Sequence, residues 1–520
     1  MANRIETLKT EKDGLDVWPD LLRYAREGTP IEAIPEDDLE RMKWYGVFHR
    51  KQTPGYFMMR LRTPGGRLSS DQLRVLAAVA RDFGHGTADL TTRENVQLRG
   101  LRLPDVPVII ERLASVGIST RQSGMDNVRN IVSCPLAGID AAEVLDTADL
   151  ALELQRALLD AGKAYSNLPR KLNVAITGCR EDCAQSQTHD LAFVPATCTI
   201  DNHHVAGFNV LVGGALGGTS PRLAEPLDVF LRPDEVVPFF LALLTVFREH
   251  GRREQRTKAR LKWLLDEWGA RILRRAVQRE LPFRLARAGR LALTRVAGDH
   301  IGIHYQRQLG LKYVGLHVPV GRITADQTAE LARIADEYGT SEVRLTVDQN
   351  LVLPNVTAAR LPRLLHEPLL QALSPAPDGV WRHLVACTGN DYCHFSHIDT
   401  KGTALALARE LEARGVRTAA GTRIHISGCV HACGKHRVGD IGIVGTPMRV
   451  GEAVVAGVDL FAGGCLGNEA RLATVVAEGV SLDALTDRVQ ELLLARGSQA
   501  ARGAEHQDEA TEEATKESAA

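Results

Sequence analysis

Two stretches of the chain, 66–95 and 321–350, show the same order of apolar and polar positions at an offset of 255 residues. The first begins with an amphipathic pattern whose apolar residues recur at helical spacing, on one face: Leu73, Leu76, Ala77, Ala80 and Phe83. Ser69 and Thr324 each stand three residues before a glutamine, the capping-box pattern that begins a helix. Each stretch therefore predicts a helix, which Gly84 and Gly339 would end.

After each predicted helix the pattern changes to the two-residue alternation of a strand. In the second copy the alternating apolar residues are Val343, Leu345 and Val347, followed by Leu351 and Leu353. A helix followed by two strands predicts a small mixed α/β unit that the chain uses twice.

The repetition extends beyond these units. Val174–Cys183 resembles Ile424–Cys433, and Phe208–Gly217 resembles Val458–Gly467. We therefore expect an α/β (α+β) fold of tandem-duplicated, mixed α/β halves related by a pseudo-two-fold axis. A site that both halves share would lie at their interface.

The predicted domain order follows from the repeats. An N-terminal arm (1–50) precedes a ferredoxin-like half-domain repeat (51–125) and a first α/β domain (126–300). A second half-domain repeat (301–375) and a second α/β domain (376–496) follow. Residues 248–290, rich in Arg and Lys, predict a helical connection between the halves, and the polar tail 497–520 is expected to be disordered.

Composition narrows the class of protein. The 520 residues include 63 Lys+Arg and 64 Asp+Glu, which gives a net charge of -1. The chain as a whole therefore lacks the excess of positive charge that is typical of nucleic-acid-binding proteins. We find no apolar run long enough to span a membrane and no targeting signal, and we expect a cytoplasmic protein. Nine cysteines are too few for a disulfide framework, and their clustering indicates metal or redox chemistry.

Four cysteines form the sharpest motif. Cys387 and Cys393 are separated by five residues, and Cys429 and Cys433 by three. Four thiolates on two short segments suit a [4Fe–4S] cluster, whereas structural zinc, the alternative, prefers tighter knuckles. The flanking glycines Gly389, Gly428 and Gly434 would let the backbone approach a cluster closely.

These motifs, in a duplicated α/β chain, resemble the sirohaem- and [4Fe–4S]-containing nitrite and sulfite reductases. The segments Gly315–Arg322, Arg344–Asn350, Val385–Gly389, Cys134–Asp140 and Asn167–Lys171 resemble the ferredoxin-dependent nitrite reductases in particular. The resemblance covers roughly residues 40–495. It implies that Cys387, Cys393, Cys429 and Cys433 hold one cluster, and that Cys433 also supplies the axial thiolate of one sirohaem.

The first half keeps Cys179 and Cys183 but lacks the other cysteine pair. We interpret its cysteines as buried free thiols, a remnant of the duplication; a second cluster on Cys134, Cys179, Cys183 and Cys198 is the alternative. Some relatives cross-link a cysteine placed like Cys134 to a tyrosine beside the haem. Phe48 stands in the tyrosine's place here, which argues against that link.

The resemblance also implies a cationic face above the haem, formed by Arg93, Arg129 and Lys171, with Asn173 nearby. Arginine binds an oxyanion through paired charge-assisted hydrogen bonds, and lysine can deliver protons. Candidate partners for the sirohaem carboxylates are Arg60, Arg62, Arg67 and Arg99. Arg93 aligns with Asp348 in the second copy, so this charge belongs to one half only.

The function that the resemblance implies is the six-electron reduction of nitrite to ammonia in nitrogen assimilation. We find no dinucleotide-binding fingerprint, so electrons must come from a partner, for which ferredoxin is expected; the basic stretch 248–258 is a candidate dock. Sulfite reduction to sulfide is the alternative, but Pro169–Asn173 carries Asn173 where sulfite reductases usually carry lysine. A cobalamin-pathway oxygenase of related fold and a non-enzymatic metal scaffold are more distant alternatives.

Overall fold

The fold is taken from a computed structural model, which describes residues 3–294, 298–377, 379–418 and 421–496. The predicted disordered tail lies outside the described residues. We call residues 3–294 the first half and residues 298–496 the second half.

The described residues form twelve bounded α-helices and a further helical segment, 485–496. The helices are α1 (Arg4–Glu11), α2 (Trp18–Glu27), α3 (Glu36–Arg41), α4 (Ser70–Asp82), α5 (Val106–Ser115), α6 (Ala148–Asp160), α7 (Val236–His250), α8 (Leu261–Arg279), α9 (Ala325–Tyr338), α10 (Leu361–Leu364), α11 (Leu369–Ala372) and α12 (Thr400–Ala413).

The strands of the first half are β1 (Val47–His49), β2 (Phe57–Arg60), β3 (Arg67–Ser69), β4 (Thr87–Leu90), β5 (Val96–Leu101), β6 (Val128–Ser133), β7 (Leu172–Ile176), β8 (Leu191–Ile200), β9 (His203–Val212), β10 (Glu225–Leu231) and β11 (Arg290–Leu291). Those of the second half are β12 (Gly302–Tyr305), β13 (Leu311–Leu316), β14 (Arg322–Thr324), β15 (Glu342–Leu345), β16 (Leu351–Thr357), β17 (Leu384–Ala386), β18 (Ile424–Ser427), β19 (Ile441–Val450), β20 (Ala453–Ala462) and β21 (Thr474–Ser481).

Two small sheets exchange a strand between the halves. The first runs β1-β2-β5-β4-β14 and the second β12-β13-β16-β15-β3, so each takes its last strand from the other half. The exchanged strands pair antiparallel, with Ile323 opposite Ala88 and Leu68 opposite Val343. This reciprocal exchange gives the predicted pseudo-two-fold relation between the halves.

Two large sheets repeat one topology. The first runs β10-β9-β8-β7-β6, with β11 on β8, and the second runs β17-β18-β19-β20-β21. In each sheet the first three strands in chain order are parallel and the remaining two are antiparallel. Loops that follow neighbouring parallel strands emerge at the same sheet edge, and this places the site.

The predicted capping boxes are present at the start of α4 and α9. Ser69 and Thr324 accept from the backbone of Gln72 and Gln327, whose side chains accept from the caps in return. Leu73, Leu76, Ala77 and Ala80 are buried, and α4 packs on α9 in a core common to both small sheets. The predicted strand at 343–347 is shorter than expected, because β15 ends at Leu345 and Val347 lies buried beyond it.

The interpretation of 248–290 as a connection between the halves is wrong for most of its length. Helix α8 packs on α7 and β10, and Leu261, Leu264 and Leu273 are buried in the core of the first large sheet. The apolar stripe is therefore part of a domain core. Among the described residues, no helix has both the length and the hydrophobicity that a bilayer crossing requires.

Candidate functional site

The two cysteine motifs of the second half meet because their strands are parallel. Cys387 directly follows β17, and Cys429 and Cys433 lie in the loop after β18, which pairs with β17. The backbone N–H of Cys387 donates to Ile426 O at 3.0 Å, and that of Gly428 donates to Cys387 Sγ at 3.2 Å. The sheet edge thus gathers motifs that are about forty residues apart in sequence.

Glycine is required where these loops cross. A Cβ atom on Gly428 would lie 1.7 Å from Ser396 Oγ, and one on Gly434 would lie 2.0 Å from Ile426 O. Gly389 has a φ of +79°, which side-chain-bearing residues rarely adopt. The backbone is therefore tightly packed at both motifs, and its close approach to a cluster stays a prediction.

The four thiols enclose a wide space. Burial raises the pKa of Cys387, and it raises that of Cys429 to about 12, so these groups need a bound metal to ionise near neutral pH. No three of these four sulfur atoms, all in the described part of the chain, lie within 4.8 Å of one another. That spacing is too wide for a single zinc ion and is compatible with a larger polynuclear cluster.

A cavity of about 470 Å³ opens beside these cysteines, between the halves. Ten lysine and arginine residues border it against two acidic ones, Glu40 and Asp89. The cationic residues are Lys43, Arg50, Arg60, Arg93, Arg99, Arg129, Arg170, Lys171, Arg256 and Lys401. Such an excess of positive charge suits a ligand that carries several carboxylates, or a small anion, or both.

Arg93, Arg129 and Lys171 all border this cavity, although two sheets supply them. Arg93 lies in the turn after β4, where its backbone N–H donates to Thr91 Oγ1 at 3.2 Å. Arg129 lies on β6, and Lys171 directly precedes β7. The turn also reaches the cysteine loop, because Thr92 Oγ1 donates to Cys433 O at 3.0 Å.

Burial weakens the hold of Arg129 and Lys171 on their protons. It lowers the pKa of Arg129 well below its usual value, and Arg60 and Arg93 lower it further. Burial, and then Arg93, likewise lower the pKa of Lys171. Arg60 Nε and Arg129 Nη1 are buried donors without a hydrogen-bond partner among the described residues. An anion in the cavity would satisfy these donors.

Asn173 lies on β7, beside a smaller cavity of about 60 Å³ that adjoins the first and shares Arg93, Lys171 and Cys433 with it. Its backbone N–H donates to Asp190 Oδ2 at 2.7 Å, whereas its side-chain Oδ1 is buried without a partner in the described part of the chain. The amide is thus free to face a small ligand next to Lys171.

The four candidate partners for the sirohaem carboxylates separate into two pairs. Arg60 and Arg99 border the cavity. Arg62 does not: it is fully buried and donates to the backbone carbonyls of residues 121, 122, 128 and 129, so it supports the fold. Arg67 does not either, because it pairs with Glu342 across the exchanged strand. Arg62 and Arg67 are therefore engaged within the fold, and of the four candidates only Arg60 and Arg99 border the cavity.

An ion-pair network that the sequence does not reveal joins the two halves beside the cavity. Asp89 pairs with Arg99 of its own half and with Arg322 and Lys401 of the other half. Although burial acts in the opposite direction, these cations lower the pKa of Asp89 well below its usual range. Lys401 lies in the first turn of α12, shortly after the first cysteine motif. Its closeness to that motif in sequence is the one feature that could have indicated its place in the network.

Phe48 borders the cavity, and Arg60 lies over its ring at 4.7 Å. Cys134 is elsewhere, buried with Cys179 and Cys183. Cys198, which the alternative second cluster required, is on β8 with its sulfur near Thr199 O, so that set of four is not assembled.

The basic stretch 248–258 is mostly engaged within the protein. Arg256 makes two hydrogen bonds to Asp126, and Arg253 contacts Glu6 and Asn167. Arg252 pairs with Glu267 on α8. Three arginines of the stretch therefore have intramolecular partners, whereas Lys258 is exposed, and the role of the stretch as a dock stays a prediction.

The chain matches two protein-family models. The model of the nitrite and sulphite reductase 4Fe-4S domain matches residues 124–285 and 379–503. The model of the nitrite/sulfite reductase ferredoxin-like half domain matches residues 49–116 and 304–370. Both models match twice, once in each half.

Similar proteins are of comparable length. The chain is 45% identical over 505 residues to a ferredoxin–nitrite reductase of Synechococcus elongatus, covering 96% of this chain and 97% of the relative. It is 42% identical to a chloroplastic ferredoxin–nitrite reductase of Zea mays, covering 98% and 91%. The solved structure of the Mycobacterium tuberculosis NirA protein superposes with a TM-score of 0.87 at 31% identity, covering 94% and 92%.

Proposed function

The chain belongs to the nitrite and sulphite reductase family, and from this we propose that it catalyses the six-electron reduction of nitrite to ammonia with electrons from ferredoxin. The similar proteins from Synechococcus elongatus and Zea mays are named ferredoxin–nitrite reductases. Among this chain's own residues, the proposal rests on the cationic cavity at the junction of the halves, which is bordered by four cysteines.

We assign the [4Fe–4S] cluster to Cys387, Cys393, Cys429 and Cys433. The donor set fits the group, because these sulfurs come from two loops at one sheet edge and stand too far apart for a single ion. Cys433 is the most exposed of the four and borders the cavity, which favours it as the axial thiolate of one sirohaem. When bound, the sirohaem would supply an iron that binds substrate nitrogen and passes electrons to it.

The sirohaem carboxylates need cationic partners, and Arg60 and Arg99 are placed to supply them. The unpartnered Nε of Arg60 and the location of both residues on the cavity wall support this role. Arg50 and Lys401 border the same cavity and add to the set. Arginine suits the task because its planar fork can hold a carboxylate by two hydrogen bonds.

We assign substrate binding to Arg93, Arg129, Lys171 and Asn173. The cations draw in the nitrite anion and stabilise negative charge that develops on its oxygens during reduction. Burial lowers the pKa of Lys171, so this ammonium gives up a proton more readily than an exposed lysine and suits a reaction that consumes protons. Asn173 adds a neutral amide that both donates and accepts.

Steady-state kinetics on the purified holoenzyme tests the proposal. Nitrite and sulfite are each reduced with reduced ferredoxin or with methyl viologen as donor, and the visible spectrum is recorded first. We expect Soret and red-region bands from sirohaem and a higher kcat/KM for nitrite. A preference for sulfite would reject the substrate assignment, and a spectrum without sirohaem bands would reject the cofactor assignment.

A further inference from the structure

A second group of metal-ligating side chains lies outside the cavity, where cysteines of the first half meet a histidine of the second half. The ligand atoms of Cys134, Cys183 and His300 lie within 4.8 Å of one another, and all three residues are buried. His300 Nε2 is 2.9 Å from Cys183 Sγ, and Cys179 Sγ is 3.4 Å from the same sulfur. None of these four residues borders the cavity between the halves.

The fold builds this group from three separate segments. Cys134 directly follows β6, and Cys179 and Cys183 follow β7, its parallel neighbour, so the sheet edge brings the cysteines together. His300 comes from the start of the second half, more than a hundred residues later. A local sequence pattern therefore cannot reveal the group.

His300 is held in a conformation that side chains rarely adopt. Its φ is 59°, in the left-handed region, where a residue with a Cβ atom is strained. Room for its backbone exists because residue 315 is glycine; a Cβ there would lie 1.7 Å from His300 O. Strain of this kind persists where surrounding structure imposes it, and it often accompanies a functional role.

Neighbours of His300 fix the segment in place. Arg382 pairs with Asp299 and donates to Ile301 O at 2.8 Å, so it holds the residues on both sides. The Tyr313 ring meets the His300 ring edge-on, with centroids 6.3 Å apart. The imidazole is thus directed at the sulfurs by contacts from the second half.

The sulfurs also receive hydrogen bonds typical of metal-bound thiolates. The backbone N–H of Leu136 donates to Cys134 Sγ at 3.4 Å, and Thr177 Oγ1 lies 3.3 Å from Cys179 Sγ. Outer contacts of this kind orient ligands and stabilise their charge. The group therefore has both ligands and a supporting shell.

We propose that Cys134, Cys179, Cys183 and His300 bind one structural Zn²⁺ ion. Three thiolates and one imidazole form a closed Cys₃His set, the composition that four-coordinate structural zinc uses. The ion fastens the start of the second half, at His300, to the edge of the first large sheet. The ligand atoms of Cys134, Cys183 and His300 converge on one point, and Cys179 Sγ adjoins Cys183 Sγ. No three of the four described cysteine sulfurs of the second half converge in this way.

A disulfide is the competing product of this geometry. The 3.4 Å between Cys179 Sγ and Cys183 Sγ exceeds a sulfur–sulfur bond of about 2.05 Å, and all nine cysteines are free. Zinc accounts for the third cysteine and the histidine, which a disulfide leaves without a role.

Metal analysis of the purified holoenzyme tests the proposal. Wild type should contain about one zinc per chain, whereas Cys183→Ser and His300→Ala should lose it and keep their iron. Cys198→Ser, which removes a cysteine of the same half outside the group, is the matched control and should retain zinc. His300→Cys should also retain it, because zinc accepts a fourth thiolate.

Zinc X-ray absorption on wild type makes the test independent of whether the variants fold. We expect about three sulfur ligands at ~2.3 Å and one nitrogen at ~2.0–2.1 Å. Absence of zinc, a shell dominated by oxygen, loss of iron in Cys183→Ser, or a Cys179–Cys183 disulfide in the unreduced peptide map would each overturn the proposal.

Discussion

In both large sheets, two parallel strands end in cysteine-bearing loops at equivalent positions: Cys134 follows β6 as Cys387 follows β17, and Cys183 corresponds to Cys433. Asp182, which precedes Cys183, has a φ of 50°, and Ala432, which precedes Cys433, has a φ of 53°. The backbone is thus retained while the surroundings differ. In the second half the last thiol is exposed at the cavity, whereas in the first half it is buried against His300.

The same contrast holds for charge. Arg93 in the first half borders the cavity, and its counterpart Asp348 lies behind the site, where it accepts from Gln185 Nε2 at 3.0 Å. Asn173 corresponds to Arg423, and both donate their backbone N–H to an aspartate, Asp190 and Asp440. The first half therefore supplies nine of the ten cations that border the cavity, and the second half supplies the four thiols and Lys401, on similar frames.

The largest effect on activity should distinguish two equivalent cysteines, Cys433 and Cys183, when each is replaced by serine. Cys433→Ser should lose sirohaem and much of the iron and abolish activity, because we assign this thiolate to both groups. Cys183→Ser should keep iron, sirohaem absorption and the cluster's electron paramagnetic resonance signal. Loss of iron from Cys183→Ser with retention in Cys433→Ser would show that the halves have been assigned the wrong way round.

The next effect concerns the cation that only one half carries. Arg93→Ala should lower kcat/KM for nitrite about 10²-fold, the usual loss when a preorganised donor is removed. Arg93→Asp, which copies the residue of the second half, should lower it further. Steady-state kinetics measures both.

Arg67→Ala is the matched control for Arg93. Its partly exposed ion pair with Glu342 lies away from the cavity. Such pairs contribute little, so we expect a change in kcat/KM below about twofold. An equal loss in the two variants would contradict the assignment of Arg93 to substrate.

A smaller effect is expected from placing a cation at Asn173, the counterpart of Arg423. Asn173→Lys should shift the kcat/KM ratio of nitrite to sulfite toward sulfite by about tenfold, because sulfite carries more negative charge near neutral pH. The ratio is measured in competition with one donor. Asn202→Lys, on an exposed hairpin, adds the same charge elsewhere and should leave the ratio unchanged. An unchanged ratio in Asn173→Lys would remove this residue as the cause of substrate preference.

The smallest effect concerns acid stability. Burial lowers the pKa of His425 to about 4 and that of His436 to about 3, and both ring nitrogens of His436 are buried without partners among the described residues. The unfolded chain binds protons at these sites below pH 6.5, whereas the folded chain does not until about pH 4. Stability should therefore fall as pH drops through this window, by on the order of 1 kcal/mol per histidine per pH unit.

Hydrogen exchange at pH 7 and pH 5 measures this loss in each half. Protection should decrease most around β18, which carries His425, and β19. A smaller decrease is expected around β8, because burial also lowers the pKa of His189, just before that strand, to about 3. His436→Gln should reduce the difference, and the exposed His203→Gln should not. Equal loss of protection in the two sheets would contradict the expectation.

The periodic segments were predictable because their signals are local. Capping boxes at Ser69 and Thr324 and the helical apolar spacing determine α4 and α9 within a few residues of chain. The resemblance placed Arg93, Arg129 and Lys171, and the structure brings all three to one cavity. Their catalytic roles stay predictions that the kinetics above would test. The proposed domain edges also stay predictions.

By itself, the sequence determined the duplication, the helix starts and the two cysteine motifs, because each depends on spacing along the chain. Only the tertiary structure decided which arginines face the cavity: Arg60 and Arg62 are two residues apart, yet one borders it and the other donates to backbone carbonyls. It also brought His300 to Cys183, and it exchanged β3 and β14 between the halves. Such contacts join residues more than a hundred positions apart, so they depend on how whole sheets pack and not on any local pattern.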